Sequence, residues 1–468
     1  MLQTFRHLRP VLLLLGAAGA SRAQMAPIGS IISEQSRTAF SIQGAGARAL
    51  GLGGAFIALA DDATAVSFNP AGLAQMLRPE ASLVGRGINR GVAFQDAETT
   101  AGSRTLLAGD SLISNTRFDP LLAAATVPLR VGGRTLAIQL SVQRIFPLGE
   151  GDSRDLQEQP ADGSPARRLR QDISQDGQID LYSFAAAYEV SQRVLLGLSA
   201  NLWRGAWSLS SRSTSTSAQG SSYLDFGQTS RFEGANFNLG LLWRWPTWSL
   251  GITRRTGFHA DYTYATRLAT SARPDPVASQ PYTTGLHWPS TTGVGFAYRP
   301  SDRWLVTADV VSTPWSDTRY MSGRPALDGV NFFNLNRGGA SPDATQVHLG
   351  VEHLFLPGSG RVIPLRLGWS REPQPVTDRL TGQQRVIQSV SAGTGLKRGA
   401  WTFDVAYRYG WGRRAASQFL DPEQILSGTS VRTLGTETLT EHRVDLSLIV
   451  QFDRSPVQDL LHHLFVGD

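Results

Sequence analysis

The sequence predicts an all-β chain: a transmembrane antiparallel β-barrel of about 14 strands, with a small N-terminal helical hatch plugging the lumen. Three observations carry this. Beyond residue 80, bulky apolar residues alternate with polar or small ones in segment after segment. The connections between those segments alternate between short turns and long polar loops. The chain also opens with an export signal, yet has no run of 18 consecutive apolar residues of the kind a membrane-crossing helix needs.

The signal is read first. Arg6, His7 and Arg9 form a positive n-region, Val11 to Ala20 an apolar h-region, and Ser21-Arg22-Ala23 places small residues at −3 and −1, so cleavage is expected before Gln24. The apolar run is far shorter than the ~20 residues a bilayer span requires. The expected organisation is a signal peptide at 1–23, a hatch or plug at 24–80, a transmembrane barrel at 81–452 and a periplasmic tail at 453–468. The outer membrane of a Gram-negative bacterium is the expected location.

Composition excludes several classes. The 468 residues contain no cysteine, which removes disulfide scaffolds and Cys-built metal sites. The net charge of +6 comes from scattered arginines and the single Lys397, not from a basic stripe, so no nucleic-acid partner is expected. The histidines His259, His287, His348, His353, His442, His462 and His463 show no HExxH or other ligand spacing, so no metal site is expected. His348 and His353, five apart in a strand, should point to opposite faces. No serine is marked by a partner base, so the chain reads as no enzyme, with no catalytic residues and no cofactor. Gly44-Ala45-Gly46-Ala47-Arg48-Ala49 satisfies a relaxed dinucleotide fingerprint but lacks the βαβ unit that gives it meaning.

The strand signal is clearest at 401–411, WTFDVAYRYGW. Trp401, Phe403, Val405, Tyr407, Tyr409 and Trp411 share one face; Thr402, Asp404, Ala406, Arg408 and Gly410 share the other. Aromatics toward both ends with smaller apolar residues between them match the interfacial girdles of membrane barrels. The pattern recurs at 442–452, 194–206, 232–243 and 363–370. Strands are predicted near 81–92, 119–131, 134–146, 178–190, 193–209, 229–245, 247–263, 288–299, 302–314, 343–356, 361–371, 387–398, 400–412 and 438–452. Short turns fall at Gly132-Gly133, Ser191-Gln192, Pro246-Thr247, 300–302, 357–360 and Arg398-Gly399. Long loops are expected near 93–118, 147–177, 210–228, 264–287, 315–342, 372–386 and 413–437. Short periplasmic turns opposite long extracellular loops are the asymmetry of outer-membrane barrels, and closure removes the sheet edges.

The stretch 44–74, GAGARALGLGGAFIALADDATAVSFNPAGLA, is Ala- and Gly-rich and suits short helices packed in a confined space, interrupted at Pro70. Gly46, Ala49-Leu50-Gly51, Gly53-Gly54-Ala55, Asp61-Asp62 and Asn69-Pro70-Ala71-Gly72-Leu73 resemble the hatch of the FadL/TodX family of outer-membrane hydrophobic-compound transporters. AYRPSDRWLVTADVVSTPWSD (297–317) is similar to that family's strand–turn–strand. The resemblance implies a monomeric fourteen-strand barrel that takes up long-chain fatty acids or aromatic hydrocarbons passively, through an interior pocket and a gap in the wall. Its partners would be outer-membrane lipid and a hydrophobic small molecule. PorV-type barrels, which hold secreted proteins at the surface, carry a similar Gly-rich run and Asn-Pro-Ala, and that alternative stays open. The loops at 147–177 and 210–228 depart from the family in lacking an apolar hairpin to gather ligand.

The resemblance marks Asn69, Pro70, Ala71 and Gly72 as hatch motif. Phe40, Leu50, Leu52, Phe56, Ile57, Leu59 and Phe68 are candidates to line a ligand pocket or to pack the hatch. Asp309, Arg366, Asp404, Arg408, Arg443 and Asp445 should face the lumen, pairing across strands or forming a polar track for a headgroup.

Overall fold

The computed structural model describes residues 44–101, 104–108, 111–160, 166–321, 328–332, 341–357, 361–377, 382–416 and 432–453. The expected signal peptide, the first part of the expected hatch with Phe40, and the tail after 453 lie outside the described residues.

Fourteen antiparallel strands close into a barrel. They are β1 (Glu80–Ala101), β2 (Ser111–Val131), β3 (Arg134–Pro147), β4 (Arg167–Glu189), β5 (Val194–Ser217) and β6 (Gly220–Arg244). β7 runs Trp248–Arg255 and resumes as Phe258–Thr270; β8 runs Tyr282–Trp288 and Thr291–Ser301; β9 runs Trp304–Thr313 and Arg319–Met321. β10 (Ala344–Phe355), β11 (Ile363–Thr377), β12 (Gln384–Arg398), β13 (Trp401–Ala416) and β14 (Arg432–Gln451) complete the wall. Each strand pairs with its sequence neighbours, and β14 returns to β1 through a register from Glu80↔Gln451 onward. Closure matters because an unpaired edge inside a bilayer would leave backbone groups with no water to bond.

The period-two pattern decides which side chain meets lipid. On β13, Trp401, Phe403 and Tyr407 are 43–56% exposed, while Asp404 and Arg408 are buried on the inner face. The same phase runs through Leu196, Leu198 and Leu202 on β5, and through Phe237, Leu239 and Trp243 on β6. Such an outward apolar band is what a bilayer covers. Among the described residues no helix is long and apolar enough to cross a membrane.

The strands run longer than the apolar alternation predicts. Most of the segments 93–118, 210–228 and 264–287, and 167–177 of the expected loop 147–177, are strand, with accessory strands at Arg104–Ala108, Glu150–Pro160 and Arg273–Ala278. The reason is that hydrogen-bond pairing continues after the outer face leaves the membrane. Beyond Arg204 and Glu233 the outward residues are polar, and the Ser/Thr-rich register Leu209↔Gln228 to Ser217↔Gly220 extends β5 and β6 into water. Loss of the apolar signal there marks the membrane boundary, not the strand end.

One part of the wall is poorly bonded. β7, β8 and β9 are all interrupted at one level: pairing passes from Arg255↔Thr291 to Phe258↔Trp288, and from Thr292↔Ser312 to His287↔Arg319. Pro289 and Pro314 sit in the breaks, and neither can donate a ladder hydrogen bond. Between β8 and β9 the side chains partly substitute, with Thr291 Oγ1 and Thr313 Oγ1 3.0 Å apart.

Residues 44–79 lie inside the barrel. A single-turn helix α1 (Ala47–Gly51) contacts β12, β13 and β14, and the 3-10 turn Pro70–Gln75 contacts β4, β5 and β6. The segment passes the wall where the inner-face residue is glycine. A Cβ at Gly197 or Gly240 would overlap Asn69–Ala71; at Gly251 or Gly295, Ile57–Ala58; at Gly350 or Gly368, Leu52–Gly53. Several of these glycines are direct register partners, Gly197↔Gly240, Gly251↔Gly295 and Gly350↔Gly368, so they form a belt. The belt lies three to six residues from the strand ends at the short turns, which places the segment in the turn-side half of the lumen. Gly368→Val puts a branched side chain against Gly53 N and is expected to eject the segment from its seat. The check is limited proteolysis: cleavage within 44–79 should rise at least tenfold while the barrel keeps its heat-modifiable gel mobility.

Candidate functional site

The inner segment is irregular, so its backbone groups need partners, and wall side chains supply them. Phe56 N and Ile57 N donate to Asp309 Oδ2 at 2.7 and 2.8 Å. Ala47 N donates to Ser447 Oγ at 2.7 Å, and Gln139 Nε2 and Ser249 Oγ donate to the carbonyls of Ala63 and Ala58. Asn69 does three things at once. Its Oδ1 accepts from Ala71 N, capping the 3-10 turn that Pro70 opens, and its Nδ2 donates to Ile57 O and Leu241 O, both at 3.0 Å. Pro70 and Ala71 press on Gly197 and Gly240 of the wall, and Gly72 abuts Ala60 O, where a Cβ has no room.

Above the segment the interior divides in two. On β10 to β14 and β1 it is ionic. Arg48 of α1 bonds Asp61 at 2.6 Å and Glu352 at 3.3 Å; Glu352 holds Arg366 at 2.7 Å, and Arg366 holds Asp404 at 2.5 Å. Farther from the turns, Arg408 joins Glu372 and Glu441, Arg90 joins Glu441, Arg443 joins Asp445 with Arg86 beside it, and Arg385 and Arg414 share Glu437. The six lumen charges of the sequence analysis are all buried on the inner face. Five of them join this ladder, and Asp309, on β9, is set apart against the inner segment. His348 faces inward, with Nδ1 2.8 Å from Gly53 O, while His353 lies on the outer face against Trp304.

On β3 to β9 the interior is aromatic. Trp203, Trp207, Phe232, Phe258, Tyr262, Trp288, Trp315 and Tyr320 form one buried cluster with neighbouring aliphatic side chains. Trp203 and Phe258 pack tilted at 5.2 Å between centroids, and Trp288 meets Trp315 edge-on at 5.5 Å. Trp207 Nε1 and Tyr320 Oη are buried there with no hydrogen-bond partner among the described residues.

Between segment, ladder and cluster lies a cavity of about 80 Å³. Of the pocket candidates, Leu50, Ile57 and Phe68 line it. Leu52, Phe56 and Leu59 are instead fully packed between segment and wall. Arg255 lines the cavity too, and sequence reasoning missed it. It is 9% exposed, its Nε reaches Asn238 Oδ1 at 3.3 Å, its guanidinium lies 6.0 Å from the Trp203 ring centroid, and no carboxylate among the described residues pairs with it. The available signal was Arg254-Arg255 in a strand: period two must send one of two adjacent arginines inward.

No family model and no curated protein matches the chain. Solved structures do. A Pseudomonas aeruginosa FadL homologue superposes with a TM-score of 0.66 at 12% identity, over 88% of this chain and 100% of that one. The chain has a FadL/TodX-type fold. The Pseudomonas putida toluene transporter TodX gives 0.53 at 13% identity over 88% and 98%, and the CymD monoaromatic hydrocarbon channel 0.51 at 17% over 89% and 100%. At these identities the likeness of this FadL/TodX-type barrel is one of fold.

The two kinds of ion pair should behave differently. Arg366→Met strands Asp404 in the interior and leaves Glu352 with Arg48 alone, and is expected to cost about 3–5 kcal/mol. Arg204→Ala, which removes the half-exposed Arg204–Glu233 pair on the outer face, should cost under about 1 kcal/mol. Urea unfolding of both variants in lipid vesicles measures the difference.

Proposed function

We propose that the chain is an outer-membrane channel, acting as a single barrel, for passive uptake of hydrophobic compounds that carry a carboxylate, of the long-chain fatty acid kind. The observation that carries the reading is Arg255: a buried guanidinium with no counter-ion among the described residues, at the seam between the cavity and a wall of aromatic rings. A charge there is costly until an anion pairs with it, and a bidentate carboxylate is its natural complement. The rings would take the apolar body. The uncharged aromatics named for TodX and CymD would leave Arg255 unmatched.

In this reading residues 44–79 are the hatch. A cavity of about 80 Å³ is well below the roughly 300–1,000 Å³ that enclose a drug-sized ligand, so transit needs the hatch to shift from its glycine seat. Asn69 is the fastening point, because it bonds the hatch to itself and to β6. The break between β8 and β9 is where we assign lateral exit, since no ladder pair closes the wall between Thr292↔Ser312 and His287↔Arg319.

The test is uptake of labelled oleate by cells lacking their own transporter, with surface folding verified by heat-modifiable mobility. Wild type should restore uptake and Asn69→Ala should lose it. Arg255→Met should lower it about tenfold to a hundredfold, the loss of one charge-assisted hydrogen-bonding partner, while leaving entry of toluene unchanged. In this cysteine-free chain, a disulfide between Thr291→Cys and Thr313→Cys should block uptake until reduced. A well-folded wild-type barrel that carries no oleate would overturn the reading and favour a surface anchor for secreted proteins.

A further inference from the structure

The turn-side rim of the barrel carries a ring of cations with almost no acidic company. Arg130 and Arg134 flank the β2–β3 turn, Arg193 sits in β4–β5, Arg303 in β8–β9, Arg361 before β11, and Lys397 and Arg398 at β12–β13. All are exposed, and none has an ion-pair partner among the described residues. The acids at this rim are mostly engaged: Asp453 with Arg78, Glu189 with Arg244, and Asp61 with Arg48 and Arg299. Asp302 alone stands free among the exposed cations.

Position makes the ring more than a solvated edge. Directly inside it lies the aromatic girdle: Trp243, Trp245 and Trp248 stacked at 4.1 and 3.7 Å, then Trp304, Phe355, Trp401 and Phe452 facing outward. Aromatics of this kind sit at headgroup depth. By strand parity Arg134 continues the outward face of Leu140 and Val142, Arg361 that of Ile363 and Leu365, and Arg398 that of Val390 and Leu396. These three guanidiniums therefore leave the wall on the lipid side, just past the girdle, where phosphates lie. At the extracellular end cations and acids are mixed: Arg168–Asp155, Arg170–Asp172, Arg204–Glu233 and Arg212–Asp225 are paired, while the exposed Arg231, Arg267, Arg273, Arg371 and Arg413 have no ion-pair partner among the described residues.

From this charge complementarity we propose that the rim is a binding surface for the phosphate headgroups of anionic phospholipids in the periplasmic leaflet, with Arg134, Arg361 and Arg398 as the principal contacts. A two-phosphate headgroup is favoured over a single phosphate, because Arg361 and Arg398 stand opposite each other, one residue beyond the Val362↔Lys397 bridge. The inference rests on the barrel spanning the membrane with its short turns inside, and is independent of what the barrel carries.

The full chain would be reconstituted in vesicles of phosphatidylethanolamine with one fifth cardiolipin, extracted in mild detergent and its retained lipids counted by native mass spectrometry. Each juxtamembrane cation is worth about fivefold in anionic-lipid affinity. Wild type should retain cardiolipin well above its share of the vesicle, and R134Q/R361Q/R398Q should lose that enrichment by about a hundredfold, with phosphatidylethanolamine retention unchanged. The matched variant R168Q/R170Q, on the extracellular strands, should keep it. Equal retention of both lipids by wild type overturns the proposal, whether or not the triple variant folds. So does enrichment that survives the triple substitution, or that free glycerol phosphate at equal phosphate concentration abolishes.

Discussion

Most of the interior follows from how closely an irregular backbone approaches the wall. Residues 44–79 form too little helix to satisfy their own N–H and C=O groups, and each such group left buried and unmatched would cost about 1–3 kcal/mol. The belt of inner-face glycines lets the segment lie in van der Waals contact with the strands. At that distance the short side chains between the glycines, Ser249, Thr307, Asp309, Ser391 and Ser447, reach the segment's backbone. A larger residue in the belt would push the segment away and undo both the packing and the hydrogen bonds. The barrel and its contents are thus specified together.

The division of the lumen into an ionic and an aromatic half determines which half moves. Each arginine of the ladder is held by a carboxylate, and breaking one of these buried pairs strands a charge at about 3–5 kcal/mol. Strands β10 to β14 and β1 are therefore held firmly relative to one another. The rings of β3 to β9 are held by non-directional contacts that survive sliding and reorientation. The interruptions of β7, β8 and β9 fall in that same half, so the soft lining and the weakly bonded wall coincide.

Much of this was legible in the sequence, for identifiable reasons. Phe403, Val405 and Tyr407 against Asp404, Ala406 and Arg408 is a local pattern, and strand phase alone places each side chain in or out. Strand ends were not legible beyond the membrane, because Ser208 to Ser217 keep their pairing but lose the apolar alternation that announces it. The glycine belt was visible as small inner-face residues at Gly197, Gly240 and Gly368. What each glycine touches was not, because its partner in 44–79 lies some hundreds of residues away. Asn69 could be picked out by its motif, but its bond to Leu241 O is long-range and has no local signature. Arg255 falls mid-strand in the predicted 247–263 and period two sends it or Arg254 inward, but which of the two depends on a strand phase that two adjacent arginines do not reveal.

The closed interior also discriminates between candidate cargoes. In the proposed uptake, a hatch that leaves its seat gives up the contacts of Ala47, Gly53, Phe56 and Ile57 with the wall, four hydrogen bonds worth about 1 kcal/mol each. A single small ring removes on the order of 150 Å² of apolar surface from water, about 4 kcal/mol. That merely balances the opening. A chain of roughly fifteen methylenes brings about 12 kcal/mol at 0.8 kcal/mol each, enough to open the interior and leave a surplus for binding. Arg255 adds to the surplus only if the ligand ends in an anion. Lumen closure and a guanidinium with no ion pair among the described residues are separate features of the structure, and under the proposed uptake both favour a long apolar body with a carboxylate head over a compact neutral ring.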